Sequence, residues 1–245
     1  MEVHAHSHSH GKKTWKSYFW EFLMLFLAVF CGFLAEYQLE HKIEKDREKQ
    51  FIRSFIEDLK TDTNSITRTI KFQKNKLIKL DSLMFLLATQ KIKGYETELY
   101  YFGRVIQRSL RFSSNDRTIT QLKNSGSLRL IRNEEVADSM ISYQKVVDAN
   151  ELDADVELAE RQRMYPILSS MFSPFIFDQM VTLNGIHRPE NNPPLRSYDP
   201  SLQQDLAFYV HQLKGSNYLL QRRLERLFDK AINTIVLLKK EYHLE

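Results

Sequence analysis

The feature that most constrains this chain is an unbroken apolar run near its N-terminus, FLMLFLAVFCGFLA at residues 22–35. A helix needs about 20 apolar residues to cross the ~30 Å hydrocarbon core of a bilayer. Extension to residues 18–39 supplies that length and places Glu21 and Glu36 near the two ends, where their carboxylates can reach water. The sequence therefore predicts a transmembrane helix over residues 18–39, with aromatic residues at both ends as interfacial anchors.

This segment is predicted to stay in the protein as an anchor rather than to be cleaved as a signal peptide. The apolar stretch is long, and no A-x-A-like sequence precedes a plausible cleavage point. Basic residues flank it on both sides: Lys12, Lys13 and Lys16 before it and a second group within residues 42–49. Acidic residues are mixed into the second group, and a short tail ahead of a first helix normally stays inside. We therefore predict a cytoplasmic N-terminus and a large domain on the other side of the membrane.

Residues 40–245 are predicted to form an all-α domain. Seven Gly and six Pro are too few for an all-β chain with many tight turns, or for a disordered chain. Over residues 52–87 apolar residues recur at alternating spacings of three and four, with Gln73 as a polar interruption, which is typical of a coiled-coil or bundle seam. One helix is expected from about Tyr18 to Lys91. The predicted fold is an N-terminal transmembrane helix that continues into an elongated antiparallel bundle of about four main helices.

Capping signals divide the rest of the domain. A shorter helix is predicted from about Glu96 to Arg111, followed by polar residues 113–115 that offer caps to a short helical piece. Gly126 suits a left-handed conformation at the end of that piece.

Two long helices complete the predicted bundle. Asn133 is a good N-cap for one of them, and Pro166 should kink that helix near its end. Asp199 and Pro200 form a typical start for the other. Residues 173–199, which lie between them, are predicted to be an irregular, proline-containing segment.

Polar residues in the second half of the chain admit more than one interpretation. Asn150 and Arg161 lie on the otherwise apolar stripe of the helix that begins at Asn133. Three interpretations are open: these residues fix the register of the bundle, they are partly exposed, or they line a small polar pocket. Four others share the irregular segment and form either a polar rim on a groove or a hydrated loop: His187, Arg188, Glu190 and Arg196.

Residues 1–17 are predicted to be a disordered, His-rich tail. Alternate residues of an extended chain point the same way, so histidines at every second position can converge on Zn²⁺, Ni²⁺ or Cu²⁺. The candidate metal ligands are His4, His6, His8 and His10. A tail that stays disordered without metal is the alternative, since the region has no apolar content. Cys31 is the single cysteine, so no disulfide within the chain and no cysteine-based metal site is possible.

Composition and motifs narrow the functional class. The chain contains no GxxxxGK[ST], GxGxxG, HExxH or GxSxG sequence, so we predict a protein that is not an enzyme, with no catalytic or cofactor-binding residues. The 35 basic and 31 acidic residues are closely mixed and give a net charge of +4. Mixed signs indicate solvated helix faces, so no nucleic-acid partner is expected.

Three stretches carry a resemblance to a known family. They are MEVHAHSHSH, FWEFLMLFLAVFCGFLAEYQLEHKIEKDREKQFI and TITQLKNSGSLRLIRN. They resemble the DUF6090 family of uncharacterised bacterial single-pass membrane proteins, over the anchor and at least the first half of the region beyond it. The resemblance implies a bacterial envelope protein with a native His tail. Together with the orientation predicted from the flanking charges, it places the anchor in the inner membrane and the C-terminal domain in the periplasm. The resemblance implies no activity, ligand or site residue.

Two functional hypotheses follow from these features. The first is a membrane-anchored helical bundle that acts as a non-enzymatic scaffold or sensor, with the lipid bilayer and a protein partner or a second copy of the chain as its contacts. The second is metal handling through the His-x-His repeat, with the bundle as a spacer or oligomeriser.

Overall fold

The structure is a computed structural model that describes residues 14–89 and 92–244. It confirms the all-α class, because nearly all regular structure in the described part of the chain is helical. The helices are α1 (Trp15–Ala88), α2 (Glu96–Val105), α3 (Arg117–Asn124), α4 (Glu134–Arg163), α5 (Tyr165–Met171), α6 (Pro174–Gln179) and α7 (Pro200–Glu241), with a 3-10 turn at Ser127–Leu130 and strands β1 (Val181–Thr182) and β2 (Gly185–Ile186).

The first helix, α1, begins earlier than predicted. Its first turn closes with a hydrogen bond of 2.8 Å from the backbone N–H of Ser17 to the carbonyl of Thr14. Residues 15–17 are therefore helical, and the assignment of residues 1–17 to a disordered tail is wrong at this end. The reason is that neither Gly nor Pro lies between Trp15 and the apolar run, so nothing interrupts the helix. The predicted end at Lys91 lies outside the described residues, and α1 itself ends at Ala88.

The chain divides into two compact units at Gln50, and α1 supplies residues to both. In the first unit, the large apolar side chains over residues 19–39 are exposed, from 43% for Leu34 to 74% for Val29, apart from the half-buried Leu23. This is the one helix in the described part of the chain that is long and apolar enough to cross a membrane.

In the second unit, α7 runs antiparallel to α4. Asn133, at the start of α4, donates a hydrogen bond of 3.0 Å to Glu241 at the end of α7. Further along, Asp153 of α4 pairs with Arg223 of α7. The predicted caps are confirmed here: the Asn133 side chain accepts from the backbone of α4, and Asp199 caps α7 ahead of Pro200.

The bundle part of α1 runs parallel to α4. Tyr143 of α4 donates a 2.6 Å hydrogen bond to Asp62 of α1, and Glu157 accepts a 2.5 Å hydrogen bond from Lys76. Because α1 and α4 run in the same direction, the chain must run back along the bundle after α1 ends and before α4 begins. It does so through α2, residues 106–116 and α3, so the position of a fourth main helix is taken by two short helices with a non-helical segment between them.

The predicted helix over residues 96–111 is too long, because α2 ends at Val105. The guanidinium of Arg161 donates to the carbonyl of Gln107 at 3.0 Å and to the hydroxyl of Ser109 at 3.1 Å. These bonds from α4 hold the segment after α2 in a non-helical path. A pattern local to residues 96–111 does not contain this information.

The irregular segment packs against α2 as an ordered structure. The phenol of Tyr100 accepts from the backbone N–H of Ser173 at 3.1 Å and donates to the carbonyl of Pro194 at 3.0 Å. Met180 and Leu195 are buried, whereas Leu183 at the tip of the β1–β2 hairpin is fully exposed. The predicted break near Pro166 is confirmed, since α4 ends at Arg163 and α5 begins at Tyr165.

The core of the second unit consists of two separate apolar clusters. The first contains residues of α1 from Ile52 to Ile66, together with the first half of α4 and the second half of α7. The second begins at Leu77 of α1 and includes α2, α5 and the first half of α7. The stretch of α1 between Ile66 and Leu77 therefore passes between the two clusters, and the residues buried there are polar.

Candidate functional site

A layer of buried polar side chains separates the two apolar clusters. Its members are at most 8% exposed and come from all three long helices: Gln73, Lys76, Asn150, Glu157, Arg161 and Asn217. Polar residues are rarely buried this deeply without a partner or a function. This layer is therefore the candidate site of the bundle.

The charged members of the layer form a triad of two cations and one carboxylate. Lys76 donates to Oε1 of Glu157 at 2.5 Å, and the side chains of both residues are nearly inaccessible to water. Arg161 lies one helical turn beyond Glu157, with its Nε 3.4 Å from Oε1 of that carboxylate. Nη2 of Arg161 also donates to Oε2 of Glu157 at 3.5 Å, and the other guanidinium bonds go to Gln107 and Ser109, as described for the end of α2. Glu157 is thus shared between two positive groups.

Burial lowers the pKa of Lys76 below its usual range, because the charged ammonium is removed from water. The charge of Glu157 and its hydrogen bond act in the opposite direction, and the charge of Arg161 lowers the pKa further. With Lys76 protonated, the triad carries one positive charge in excess.

A cavity of about 150 Å³ opens beside the triad. Three buried polar atoms in its wall form no hydrogen bond within the described part of the chain: Oε1 of Gln73, Nδ2 of Asn150 and Nε of Arg161. A buried group without a partner costs about 1–3 kcal/mol. The wall also contains five large apolar side chains: Leu110, Phe112, Leu158, Leu220 and Leu224. Such an arrangement can bind a small molecule with one polar end and one apolar end.

The structure brings Asn150 and Arg161 together at this cavity, so of the interpretations left open by the sequence, the polar pocket is confirmed. Gln73, the polar interruption of the α1 seam, joins them. Lys76 and Glu157 were missed by the sequence analysis. A signal for Glu157 existed, because it lies seven residues after Asn150 and four before Arg161, on the same helix face.

The four polar residues of the irregular segment do not form one site. The ring of His187 hydrogen-bonds the hydroxyl of Thr182 at 3.0 Å. Arg188 pairs with Glu98 and lies over the ring of Tyr101, and Arg196 donates to a backbone carbonyl of α5 at 3.0 Å. Glu190 is exposed.

A second polar cluster ties α1 to α3 and was also missed. Asp58 accepts from the backbone N–H of Thr118 at 3.0 Å, from the Asn115 side chain at 2.8 Å and from Arg117 at 3.0 Å. The neighbouring Asp62 accepts from the backbone N–H of Asn115 at 2.7 Å and from Tyr143. These carboxylates hold the N-terminus of α3, so their role is structural.

Burial raises the pKa of Asp62, and hydrogen bonds from Tyr143 and Asn115 oppose this shift. The negative charges of Asp58 and Asp116 raise the pKa further. Burial also raises the pKa of Tyr143, and the adjacent carboxylate adds to the effect. The Tyr143 phenol therefore stays neutral and donates a hydrogen bond to Asp62.

The predicted metal ligands His4, His6, His8 and His10 lie outside the described residues. Within residues 14–89 and 92–244, no group of three or more His, Cys, Asp or Glu side chains is placed to hold a metal ion.

Comparisons with protein-family models, with curated proteins and with solved structures found no match for the chain. The resemblance to the DUF6090 family therefore stays a prediction.

Proposed function

We propose that this protein is a membrane-anchored helical bundle that acts as a non-enzymatic scaffold or sensor. The observation that carries the proposal is the exposure of the apolar side chains over residues 19–39 of α1. Removal of one such side chain from water is worth about 1.5–3 kcal/mol. A continuous exposed surface of this kind is not stable in water, and a bilayer supplies the medium that it requires.

An uncleaved anchor explains this segment better than a signal peptide. The helix continues from the apolar segment without a break, and residues of α1 from Ile52 onward belong to the core of the second unit. The resemblance to bacterial membrane proteins is the reason to place the anchor in the inner membrane. The basic residues Lys12, Lys13 and Lys16 ahead of it are the reason to place the N-terminus in the cytoplasm and the bundle in the periplasm.

Cysteine labelling tests both the anchor and its orientation. Cys31 is replaced by Ala, one cysteine is added after Glu245, and intact cells are treated with a membrane-impermeant maleimide. We expect a chain of unchanged mass in the membrane fraction, labelled before lysis. Recovery of a chain without residues 15–30 contradicts the anchor, and protection until lysis reverses the orientation. A cysteine added before Met1 is the matched control, since it should be protected when the C-terminal cysteine is labelled.

The scaffold or sensor role requires a contact beyond the bilayer. Large apolar residues are exposed on the bundle itself, among them Ile78 and Phe85, which lie seven residues apart on α1. Spacing of seven places both on one face of the helix. This face supports either a protein partner or a second copy of the chain.

The second candidate function is metal handling by the tail. It rests on the alternation of His4, His6, His8 and His10, which suits Zn²⁺, Ni²⁺ or Cu²⁺. Titration of the purified chain with Zn²⁺ should show micromolar binding that disappears when all four histidines are replaced by Ala. Replacement of His187, His211 and His243 by Ala is the control, and binding that survives the tail replacement contradicts this function.

A further inference from the structure

A groove of about 520 Å³ lies between α1, α2, the segment that follows α2, and the β1–β2 hairpin. We call it the α1–α2 groove. Its volume lies within the range of about 300–1,000 Å³ that is typical of small-molecule sites. The large apolar side chains in its wall are Phe72, Tyr101, Val105, Leu110 and Ile186. The cations in its wall are Lys76, Lys79 and Arg108. We propose that this groove binds a fatty acid, with its carboxylate at Lys79 and Arg108 and its hydrocarbon chain against the apolar wall.

The first argument is the charge of the groove. Among the described residues, none with a carboxylate lines it. Lys76 is paired with Glu157, so it contributes no excess charge. Lys79 and Arg108, by contrast, form no ion pair with a carboxylate of residues 14–89 or 92–244. Two cations without a counterion in the described part of the chain therefore line an otherwise apolar groove, and their field attracts an anion.

The second argument is the way in which Arg108 is held. Arg161 donates to the carbonyl of Gln107 and to the hydroxyl of Ser109, the two residues that flank Arg108. The backbone at Arg108 is thus fixed before a ligand binds, which lowers the entropy cost of binding. Burial lowers the pKa of the nearby Arg104, and the charge of Arg108 lowers it further. A bound carboxylate would relieve this repulsion between like charges.

The third argument is the chemistry that the wall selects. A carboxylate has two oxygens that accept hydrogen bonds, which matches the two unpaired cations. A hydrocarbon chain covers the apolar part of the wall, where Leu110 is 42% exposed. An inorganic anion leaves that part in water and should bind more weakly. All residues of the groove belong to the second unit, so a negative result here leaves the proposed membrane anchor untouched.

The test is isothermal titration of the full chain, in micelles of an uncharged detergent, with sodium octanoate as the probe. Titration of empty micelles supplies the baseline. Octanamide has the same chain without the charge, and inorganic phosphate has charge without the chain. We expect saturable binding of octanoate that is at least tenfold tighter than that of either control. Heat no larger than with empty micelles overturns the proposal, and so does equal binding of octanamide or of phosphate.

A charge introduced into the groove locates the bound anion. Asn75→Glu places a carboxylate at an exposed position of the wall, four residues before Lys79, where it suits the helix and pairs with the lysine. It should weaken octanoate binding at least tenfold. Asn64→Glu is the matched control, since it makes the same change on the same helix, four residues before Arg68 and outside the groove. It should leave binding unchanged.

Removal of the two cations is the complementary test. The double variant Lys79→Gln and Arg108→Gln should also weaken octanoate binding at least tenfold, because the attraction between unlike charges is lost. Lys145→Gln with Arg222→Gln removes two exposed cations outside the groove, so it changes the net charge equally and should leave binding unchanged. Octanoate binding that persists in either groove variant places the anion elsewhere and overturns the proposal.

Discussion

At the scale of single residues, we predict that replacing the carboxylate of the buried triad destabilises the protein more than replacing its lysine. Glu157→Gln leaves Lys76 and Arg161 without a carboxylate, and the loss of one partner from a buried ion pair costs about 3–5 kcal/mol. Lys76→Met instead leaves Glu157 paired with Arg161, so it should cost clearly less. The measurement is the free energy of unfolding from urea titrations followed by circular dichroism.

The matched control for the triad is Glu225→Gln. Glu225 pairs with Lys74 at 3.7 Å, but both side chains are about half exposed, so the substitution should cost less than about 1 kcal/mol. Equal losses for Lys76→Met and Glu157→Gln would contradict the expectation that Arg161 remains a sufficient partner for Glu157 when Lys76 is removed.

A second residue-scale prediction concerns pH. The pKa of Asp62 is raised mainly by burial, so the folded protein binds this proton more tightly than the unfolded chain does. The stability gained from that proton is fully present below the ordinary pKa of 3.8 and is lost as the pH rises through the higher pKa of the folded state. In the Asp62→Asn variant the side chain at this position does not titrate. The free energy of unfolding of the wild type minus that of Asp62→Asn should therefore fall as the pH rises above 3.8, and a difference that rises with pH refutes this.

At the scale of elements, the sequence predicted those features whose causes are local. The caps at Asn133 and Asp199 act on their own helices, and Gly126 adopts the left-handed conformation expected of it, with φ of 66°. The end of α2 was mispredicted because Arg161, more than 50 positions away, donates the bonds that hold the segment after it. The polar cavity was half predicted, since Asn150 and Arg161 break an apolar pattern whereas Lys76 lies beside the seam.

The prediction at the scale of elements concerns the N-terminal cap of α3. Asp116 stands at the N-cap position but makes no capping bond, and Asp58 of α1 accepts from the Thr118 N–H instead. Asp58→Ala should therefore destabilise the protein by about 1–2 kcal/mol and speed amide exchange over Arg117–Asn124. Asp116→Ala is the control and should have a smaller effect. Faster exchange in Asp116→Ala than in Asp58→Ala would show that the local residue is the cap after all.

At the scale of the whole molecule, the sequence predicted an anchor and a bundle. The two units of the structure differ in where their apolar residues lie. The apolar residues of the first unit are exposed, whereas the two apolar clusters of the second unit contain only residues from Phe51 onward. A chain of residues 51–245 therefore retains both clusters and the polar layer between them. We expect it to remain in the soluble fraction without detergent and to unfold cooperatively at a temperature close to that of the full chain. Removal of residues 18–39 alone should also release the chain from membranes. If residues 51–245 lack cooperative unfolding, the first unit is part of the folding core, and its role is more than that of an anchor.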